Sequence, residues 1–216
     1  MKKSLVIVGS GAVAAEITSL IEDSQYGASY GVEIKGYLDF NDDLLKKYEY
    51  KKPYLGTVDI YSPKENDVFI VAIGNIRYRK ENAGKIVAKG GEFINLIHST
   101  CIIANTVEIG KGNIVNPFSM IGPKVKMGNF NLITSYSFIS HDCIIGSYNF
   151  FSTAGLCGHV EVGDENTFNI RSTVIPHIKI GSRNIIQAGM IVDKEINNDT
   201  TVFHRFKEKV IAIPKE

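Results

Sequence analysis

The stretch IGKGNIVNPFSMIGPKVKMGNFNLITSYSFISHDCIIG, residues 109–146, decides the fold because an apolar side chain returns at every sixth position. The same period runs from residue 97 to residue 192, broken once by a five-residue step between Phe151 and Leu156. The apolar positions are Ile97, Ile103, Ile109, Val115, Ile121, Met127, Ile133, Ile139, Ile145, Phe151, Leu156, Val162, Phe168, Val174, Ile180, Ile186 and Val192. Since apolar residues make up only 44% of the chain, so long a series predicts a periodic core.

A period of six excludes an α-helix or a coiled coil, whose apolar residues recur every ~3.6 or ~3.5 residues. Pro117, Pro123 and Pro176 would also interrupt a helix. Three six-residue segments make a triangular coil of about 18 residues, and parallel strands pair between coils about 4.8 Å apart. Glycine often follows the apolar residue, as at Gly110 and Gly122, and we expect these glycines to turn the corners through positive φ. The pattern predicts a parallel β-helix.

The first ninety residues have a different pattern, in which strands alternate with helices. LVIV at residues 5–8 indicates a buried strand, and GSGAVA then leads into a helical AAEITSLIED. VEIKGYLDF and DVFIVAIGN indicate two further strands, and RYRKENAGKIVAKG a helix that ends at Gly90 and Gly91. This alternation predicts a small parallel sheet with crossover helices.

Candidate ligand-binding residues follow the strands of this sheet, at the carboxyl ends where such sheets bind ligands. They are Gly9, Ser10, Gly11, Asp39, Gly74 and Asn75. GSGAVA matches the G-x-G-x-x-A phosphate turn, but Asp39 lies 28 positions after Gly11, where a dinucleotide site has its acidic residue about 20 positions on. Nucleotide-sugar binding is the preferred interpretation, and a tight turn without a ligand is the alternative.

Composition gives no reason to expect nucleic acid or an anionic membrane as a partner. Lysine and arginine number 24 against 23 acidic residues, for a net charge of +1. No run approaches the ~18 apolar residues of a membrane span, so membrane insertion is not expected. Cys101, Cys143 and Cys157 lack paired metal-ligand spacing. A disulfide scaffold would need more cysteines in a shorter chain, so a reducing cytoplasm is favoured.

Several motifs carry a family resemblance that covers nearly the whole chain. They are VIVGSG, GYLDF, VAIGN followed by Arg79, ISHDCIIG and QAGMIVDKEI. With the hexapeptide period, the chain resembles the hexapeptide-repeat acyltransferases with an N-terminal Rossmann-like domain. This subfamily includes nucleotide-sugar N-acetyltransferases and sialic acid O-acetyltransferases.

The resemblance implies an α/β Rossmann-like domain at residues 1–91, a left-handed parallel β-helix at 92–198 and a C-terminal tail at 199–216. It also implies a homotrimer that uses acetyl-CoA as co-substrate. The expected reaction is N-acetylation of a nucleotide-linked amino sugar in bacterial surface glycan synthesis, of lipopolysaccharide or capsule. O-acetylation of a sugar or sialic acid is the first alternative, and a non-catalytic binding β-helix is the second.

By resemblance, His141 in ISHDCIIG is the general base of a direct transfer, and Asp142 is the acidic residue beside it. An amine that attacks a thioester must lose a proton, and a histidine titrates near the operating pH and can accept that proton. The neighbouring carboxylate orients the imidazole. A structural corner histidine is the alternative interpretation of His141.

The resemblance places the other ligand contacts in both domains. The N–H of Gly158 would meet the thioester carbonyl, and Ala188 and Gly189 would line the pantetheine. The residues implied to hold the nucleotide and its phosphates are Asp39, Gly74, Asn75 and Arg79. His159 is expected to help the acceptor site, and His177 to be a corner residue. Stacked histidines can ligate a metal, but no metal is expected.

Two segments depart from the subfamily's pattern. The glycine turn lacks the histidine of the subfamily's usual glycine-histidine-glycine form. The usual G-x-P-A-K closing segment near the coenzyme is replaced by TVFHRFKEKVIAIPKE. His204 lies in this segment, and Arg205, Lys207 and Lys209 there either face the coenzyme phosphates or form a solvated basic tail.

Overall fold

The computed structural model describes residues 3–23, 25 and 27–203, and these form two domains that pack against each other. The N-terminal domain is a four-stranded parallel sheet with helices, and the second domain is a triangular parallel β-helix. The prediction for Arg205, Lys207 and Lys209, either coenzyme contacts or a basic tail, lies outside the described residues.

The N-terminal domain alternates strands and helices as the sequence predicts. Its elements are β1 (Lys3–Val8), α1 (Ala12–Glu22), a 3₁₀ turn (Gly27–Tyr30), β2 (Val32–Leu38), α2 (Asp43–Lys47), β3 (Asp67–Val71), α3 (Ile76–Ala88) and β4 (Glu92–Phe93). The strand order is β2-β1-β3-β4, and every pairing is parallel. The sequence did not predict α2, because five residues are too few to show a helical period. Strand β4 extends this sheet two residues past the expected domain boundary at residue 91.

The β-helix has three faces, each a parallel sheet of two-residue strands. The docked face, which packs on the N-terminal domain, contains β5 (Leu96–Ile97), β8 (Ile114–Val115), β11 (Leu132–Ile133), β14 (Phe150–Phe151), β17 (Thr167–Phe168), β20 (Ile185–Ile186) and β22 (Thr201–Val202). The apolar face contains β6 (Ile102–Ile103), β9 (Met120–Ile121), β12 (Phe138–Ile139), β15 (Gly155–Leu156), β18 (Thr173–Val174) and β21 (Ile191–Val192). The charged face contains β7 (Glu108–Ile109), β10 (Lys126–Met127), β13 (Ile144–Ile145), β16 (Glu161–Val162) and β19 (Lys179–Ile180). Strand β22 carries the β-helix past the expected boundary at residue 198.

The six-residue apolar positions form the interior of the β-helix, as predicted. From Val115 to Val192 each of them is buried. Phe151 and Phe168 stack inside with ring centroids 4.7 Å apart. Coils repeat every 18 residues, but Ile139 pairs with Leu156, so the five-residue step makes one coil of 17.

The glycines after the apolar positions do not turn the corners through positive φ, which corrects the expectation. Positive φ falls instead mostly on non-glycine residues, at six-residue spacing in most of the β-helix, including Phe118 (60°), Lys124 (60°) and Asp142 (57°). A Cβ at Gly110 would lie 2.7 Å from the carbonyl oxygen of Gly128 in the next coil. These glycines are required because successive coils approach too closely there for a side chain.

A ladder of asparagines, all of them buried except the half-buried Asn95, also joins the coils. Its members are Asn95, Asn113, Asn131, Asn149, Asn166 and Asn184. In each of the five steps the Oδ1 of one asparagine accepts a hydrogen bond from the backbone N–H of the next, at 2.8–2.9 Å. Such bonds satisfy polar groups that burial would otherwise leave unpaired.

Apolar contacts hold the two domains together. Leu96, Ile114 and Leu132 of the docked face lie in the same buried cluster as Ile17 of α1 and Ile34 of β2. The position of the Rossmann-like domain is therefore set by a shared core.

Candidate functional site

A cleft of about 820 Å³ opens at the carboxyl ends of β1, β2 and β3. Its lining includes Gly9, Ser10, Gly11, Asp39 and Gly74, so the structure brings together most of the residues predicted on this edge. They meet because parallel strands present their carboxyl ends at the same edge of a sheet.

Gly9 forms the turn that closes β1. Its φ is +97°, and a Cβ there would lie 2.7 Å from Cγ1 of Ile73 and 3.0 Å from the carbonyl oxygen of Ala72. By contrast, a Cβ on Gly11 would meet nothing within 4 Å. Gly9 is thus required by the fold, whereas Gly11 leaves open space at the start of α1, where backbone N–H groups favour an anion.

Asp39 is held by the glycine turn. Its Oδ2 accepts hydrogen bonds from the backbone N–H of Ser10 at 2.7 Å and from the Ser10 hydroxyl, and its Oδ1 accepts one from the N–H of Phe40 at 2.6 Å. The carboxylate therefore has a fixed orientation at the cleft edge, where it could accept hydrogen bonds from sugar hydroxyls.

Sequence reasoning missed two tyrosines that support this turn. The hydroxyl of Tyr50 donates to the carbonyl oxygens of Ser10 at 3.1 Å and Gly11 at 3.3 Å. The hydroxyl of Tyr54 donates to the carbonyl oxygen of Asp39 at 3.2 Å. The one available signal was the aromatic cluster in YEYKKPY, residues 48–54.

Asn75 and Arg79 have structural contacts that the sequence did not reveal. The side chain of Asn75 caps α3 by accepting a hydrogen bond from the N–H of Tyr78 at 3.2 Å. Arg79 is only 1% exposed. Its guanidinium N–H groups donate to the carbonyl oxygens of Phe130, Ile73, Gly74, Tyr148 and Asn149. The prediction that Arg79 contacts nucleotide phosphates is therefore wrong, because all five N–H donors of its guanidinium already bind carbonyl oxygens.

Burial affects the ionisation of Arg79. Desolvation lowers its pKa to about 10, so the side chain remains charged at neutral pH. A buried cation is costly unless hydrogen bonds replace its water, and the five carbonyl oxygens do so here.

His141 and Asp142 lie at the corner between the apolar face and the charged face. Nδ1 of His141 lies 2.8 Å from Oδ2 of Asp142, and because an ionised carboxylate can only accept, Nδ1–H is the donor. Nε2 is left as the acceptor nitrogen, and half of the His141 side chain is exposed. The hydrogen bond from His141 lowers the pKa of Asp142 below its ordinary value. The pair is a solvent-facing base with an orienting carboxylate.

Gly158 lies directly against the imidazole of His141. A Cβ at this glycine would lie 2.6 Å from Cε1 and 2.8 Å from Nε2 of His141. The shortened coil produces this contact, since pairing Ile139 with Leu156 sets Gly158 opposite His141. Within the part of the chain that the structure describes, the N–H of Gly158 makes no hydrogen bond.

His159 and His177 continue the same corner in the next coils. The rings of His159 and His177 stack 4.7 Å apart, and the ring of His141 meets His159 edge-on at 5.2 Å. The one-residue shortening sets His159 in register with Asp142 instead of His141. The donor atoms of His141, Asp142 and His159 lie within 4.8 Å of one another, a spacing compatible with a metal ligand set.

Ala188 and Gly189 lie at a different corner, between the docked face and the apolar face. Both are exposed, and Gly189 has a φ of +71° with nothing within 4 Å of an added Cβ. A single chain therefore does not bring these two residues next to Gly158, although all three were predicted to contact the coenzyme.

Comparison with known proteins covers both domains. Residues 4–86 match the PglD N-terminal domain. Over 118 residues the chain is 28% identical to the UDP-N-acetylbacillosamine N-acetyltransferase of Bacillus subtilis (strain 168), an alignment covering 52% of this chain and 51% of that protein. The chain thus spans about half the length of this curated relative.

Two solved structures are similar over almost the whole chain. PerB from Caulobacter crescentus, in complex with CoA and GDP-perosamine, has a TM-score of 0.81 and 23% identity over 92% of both chains. The fold that the family resemblance implies is confirmed. The acetyltransferase domain of PglB from Neisseria gonorrhoeae FA1090, in complex with acetyl coenzyme A, has a TM-score of 0.80 and 22% identity over 93% of this chain and 96% of that one. The Rossmann-like domain and left-handed β-helix of the hexapeptide-repeat acyltransferases are therefore the fold of this chain.

None of the helices in the described part of the chain is both long enough and apolar enough to cross a membrane.

Proposed function

We propose that the protein is an acetyl-CoA-dependent N-acetyltransferase that acts on a nucleotide-linked amino sugar. The observation that carries the proposal is the His141–Asp142 pair, in which a carboxylate orients an exposed imidazole that packs against Gly158. Further support comes from the relatives, since PerB was solved with CoA and GDP-perosamine and the PglB domain with acetyl coenzyme A.

In the proposed reaction Nε2 of His141 accepts a proton as the sugar amine attacks the acetyl carbon. A C–N bond forms, the C–S bond to the coenzyme breaks, and the coenzyme leaves as a thiol after the proton reaches its sulfur. Asp142 keeps the imidazole in the tautomer with Nδ1 protonated. The N–H of Gly158 is suited to stabilise negative charge on the thioester oxygen. The transfer is direct, without an acyl-enzyme.

The cleft bounded by Ser10 and Asp39 is the proposed nucleotide site. Backbone N–H groups at the start of α1 suit phosphates, and the oriented Asp39 carboxylate suits sugar hydroxyls. Gly11 supports this assignment because its missing side chain keeps the approach open. His159 borders His141 and is proposed to contact the acceptor.

The working assembly is proposed to be a homotrimer. The apolar face exposes Ile102, Met120, Phe138 and Ile191 and carries no charged residue in its strands. Gly158 and Gly189, both proposed coenzyme contacts, lie at the two corners that border this face. Burial of the apolar face between copies would bring one corner of each subunit toward the other corner of its neighbour, and a coenzyme groove would form between subunits.

The proposed substrates also suggest the cellular compartment in which the reaction occurs. Acetyl-CoA and nucleotide sugars are cytoplasmic metabolites, and the three cysteines are unpaired. The product class, an N-acetylated nucleotide sugar, is a donor for a glycosyltransferase. This supports the proposed role in bacterial surface glycan synthesis, in the cytoplasm.

A coenzyme-release assay with acetyl-CoA and a panel of nucleotide-linked amino sugars tests the function. We expect turnover by the wild type and a loss of roughly 10²-fold or more in His141→Asn, the usual size of a general-base contribution. His177→Asn is the matched control, because it changes the same side chain at the same corner and should keep most of the activity.

The other outcomes separate the alternatives. Turnover only with hydroxyl acceptors would reassign the protein as an O-acetyltransferase. Absence of coenzyme binding would contradict the acyltransferase function and favour a non-catalytic β-helix. Full activity of His141→Asn would overturn the assignment of the base.

A further inference from the structure

Three of the chain's five histidines lie at the corner between the apolar face and the charged face. They are His141, His159 and His177, in successive coils, and all three are exposed. Neither ring nitrogen of His159 or His177 hydrogen-bonds to a residue that the structure describes. The proposed acetyl transfer uses one lone pair, on Nε2 of His141, and leaves the lone pairs of the other two rings without a chemical role.

The shortened coil makes two of these rings perpendicular. Because Ile139 pairs with Leu156, His159 lies one position out of register with His141, and their rings meet at 86°. The rings of His159 and His177, which are in register, stack at 7°. An imidazole lone pair lies in the plane of its ring, so stacked rings point their lone pairs side by side, whereas perpendicular rings can direct them at one point. His141 and His159 are therefore the pair suited to share one ion.

Asp142 completes the group of ligands. One donor atom from each of His141, Asp142 and His159 lies within 4.8 Å of the other two. Nδ1–H of His141 donates to Oδ2 of Asp142, so Nε2 of the same ring keeps its lone pair. A carboxylate that holds the second nitrogen of a histidine is the usual support of a metal-binding imidazole. The corner thus offers two nitrogen ligands and a carboxylate.

This set of ligands selects the kind of ion. Two imidazoles and one carboxylate suit zinc or cobalt(II), with a fourth position left open, whereas magnesium and calcium prefer oxygen ligands. Gly158 keeps the approach to the base open, since a Cβ there would lie 2.8 Å from Nε2 of His141. The residues at this corner therefore favour a zinc-class ion.

We propose that His141, Asp142 and His159 bind a zinc-class ion and that this ion reversibly inhibits the enzyme. The ligand set rests on the geometry of the corner, and the inhibition rests on the proposed function. Ligation uses the lone pair on Nε2 of His141, so the bound ion prevents that nitrogen from accepting the proton of the amine. The site is inhibitory because one lone pair cannot bind both the ion and the proton.

The released coenzyme supplies the fourth ligand. In the proposed reaction its sulfur leaves beside Nε2 of His141. As the sulfur binds zinc, the thiol gives its proton to solvent and a zinc–thiolate bond forms without any change of oxidation state. Acetyl-CoA carries a thioester and has no thiol proton to lose. CoA and zinc therefore strengthen each other's binding, whereas acetyl-CoA and zinc do not.

Equilibrium binding to the full chain tests the ligand set without turnover. The probes are zinc chloride and cobalt(II) chloride, with magnesium chloride for comparison, and we expect the wild type to bind the first two and not magnesium. His141→Asn, His159→Asn and Asp142→Asn should each weaken zinc binding by about tenfold or more.

Two control variants separate this site from other zinc ligands nearby. His177→Asn should keep the zinc affinity of the wild type, because the His177 ring lies outside the group of three donor atoms. Cys157→Ser should also keep it, which would exclude the free thiol beside Gly158 as the ligand.

The absorption spectrum of the cobalt-loaded protein tests the coenzyme ligand. Addition of CoA should produce a thiolate-to-cobalt charge-transfer band, and addition of acetyl-CoA should not. The controls are CoA with cobalt in the absence of protein, and CoA with cobalt and His159→Asn, in which the band should be much weaker at the same concentrations. Zinc should slow acetyl transfer by the wild type, and a chelator should restore the rate.

Each contrary result has a definite meaning. Equal zinc affinity in the wild type, His159→Asn and Asp142→Asn would overturn the site. Full acetyl transfer by the zinc-saturated wild type would overturn the inhibition, and absence of the charge-transfer band would overturn the thiol ligand. If the chain binds zinc through these residues but transfers acetyl to no acceptor, the proposed function fails and the ligand set is still supported.

Discussion

The Nε–H of Arg79 in α3 donates a hydrogen bond of 3.1 Å to the backbone carbonyl oxygen of Phe130 in the β-helix, and so joins the two domains. The same guanidinium also binds carbonyl oxygens of Gly74 in its own domain and of Tyr148 in the other. One buried side chain thus fixes the loop after β3 against two coils of the β-helix.

Arg79→Met should destabilise the protein strongly, because it leaves five buried carbonyl oxygens without a donor. We expect a loss of about 3 kcal/mol or more in the free energy of unfolding, measured by urea denaturation. Arg77→Met, on the exposed side of the same helix, should change it by less than about 0.5 kcal/mol. Equal stability of the Arg79 variant and the wild type would contradict this role.

Gly158→Ala should impair catalysis more than folding. The added methyl group would overlap the His141 ring, which is half exposed and can rotate away, so the base would lose its position. We expect kcat to fall by about tenfold or more, while the thermal midpoint changes little. Gly84→Ala is the control, because nothing lies within 4 Å of its added Cβ and activity should be retained. Unchanged kcat in Gly158→Ala would show that the contact does not position His141.

The ionisation of Asp67 makes the free energy of unfolding depend on pH in the acid range. Its burial opposes ionisation, but hydrogen bonds from Lys35, Tyr61 and the N–H of Lys64 outweigh that effect and lower the pKa of Asp67. The stabilisation is therefore present above the ordinary pKa of 3.8 and is lost as pH falls through the lowered folded-state pKa. Asp67→Asn should cost about 2 kcal/mol at neutral pH, and the difference from the wild type should shrink as the pH falls below 3.8.

The control for Asp67 is Asp59→Asn, which alters an exposed pair with Lys85 and should cost less than about 1 kcal/mol. Urea denaturation from pH 2 to pH 8 measures both variants. A constant difference between Asp67→Asn and the wild type over this range would mean that ionisation of Asp67 does not support the fold.

Met120→Glu should disrupt the proposed trimer, because it adds a charge at an exposed position of the apolar face. Ile144→Glu is the matched control on the charged face, where Glu108 and Glu161 pair with Lys126 and Lys179. Sedimentation velocity should detect smaller species for Met120→Glu and an intact trimer for Ile144→Glu. The reverse pattern would place the interface on the charged face.

The pair of His141 and Asp142 gives a prediction that separates orientation from charge. Asp142→Ala removes the acceptor for Nδ1–H, and kcat should fall by about tenfold. Asp142→Asn keeps an acceptor oxygen and should retain more activity than Asp142→Ala. Steady-state kinetics of the wild type and both variants measure this order, and acetyl-CoA binding should be equal in the three proteins. Equal losses of kcat in the two variants would mean that the charge of Asp142 alone matters.

The sequence predicted local features well where one strong pattern controlled them. The six-residue period predicted the buried interior, because in a short strand the direction of a side chain follows from its position in the repeat. It also predicted that Gly9 and Asp39 would share an edge, since parallel strands end together. The asparagine ladder has a visible period of 17 or 18 residues, yet the six-residue pattern alone did not indicate it.

Contacts between distant segments were decided only by the tertiary structure. Arg79 had the charge of a phosphate ligand, but the carbonyl oxygens of Phe130 and Tyr148 lie 51 and 69 residues away and occupy its donors. The sequence predicted that glycines such as Gly110 turn the chain through positive φ. In the structure a side chain is excluded there because the neighbouring coil lies too close. A sequence period specifies which way each residue points, whereas the partner it meets depends on how separate coils and domains pack.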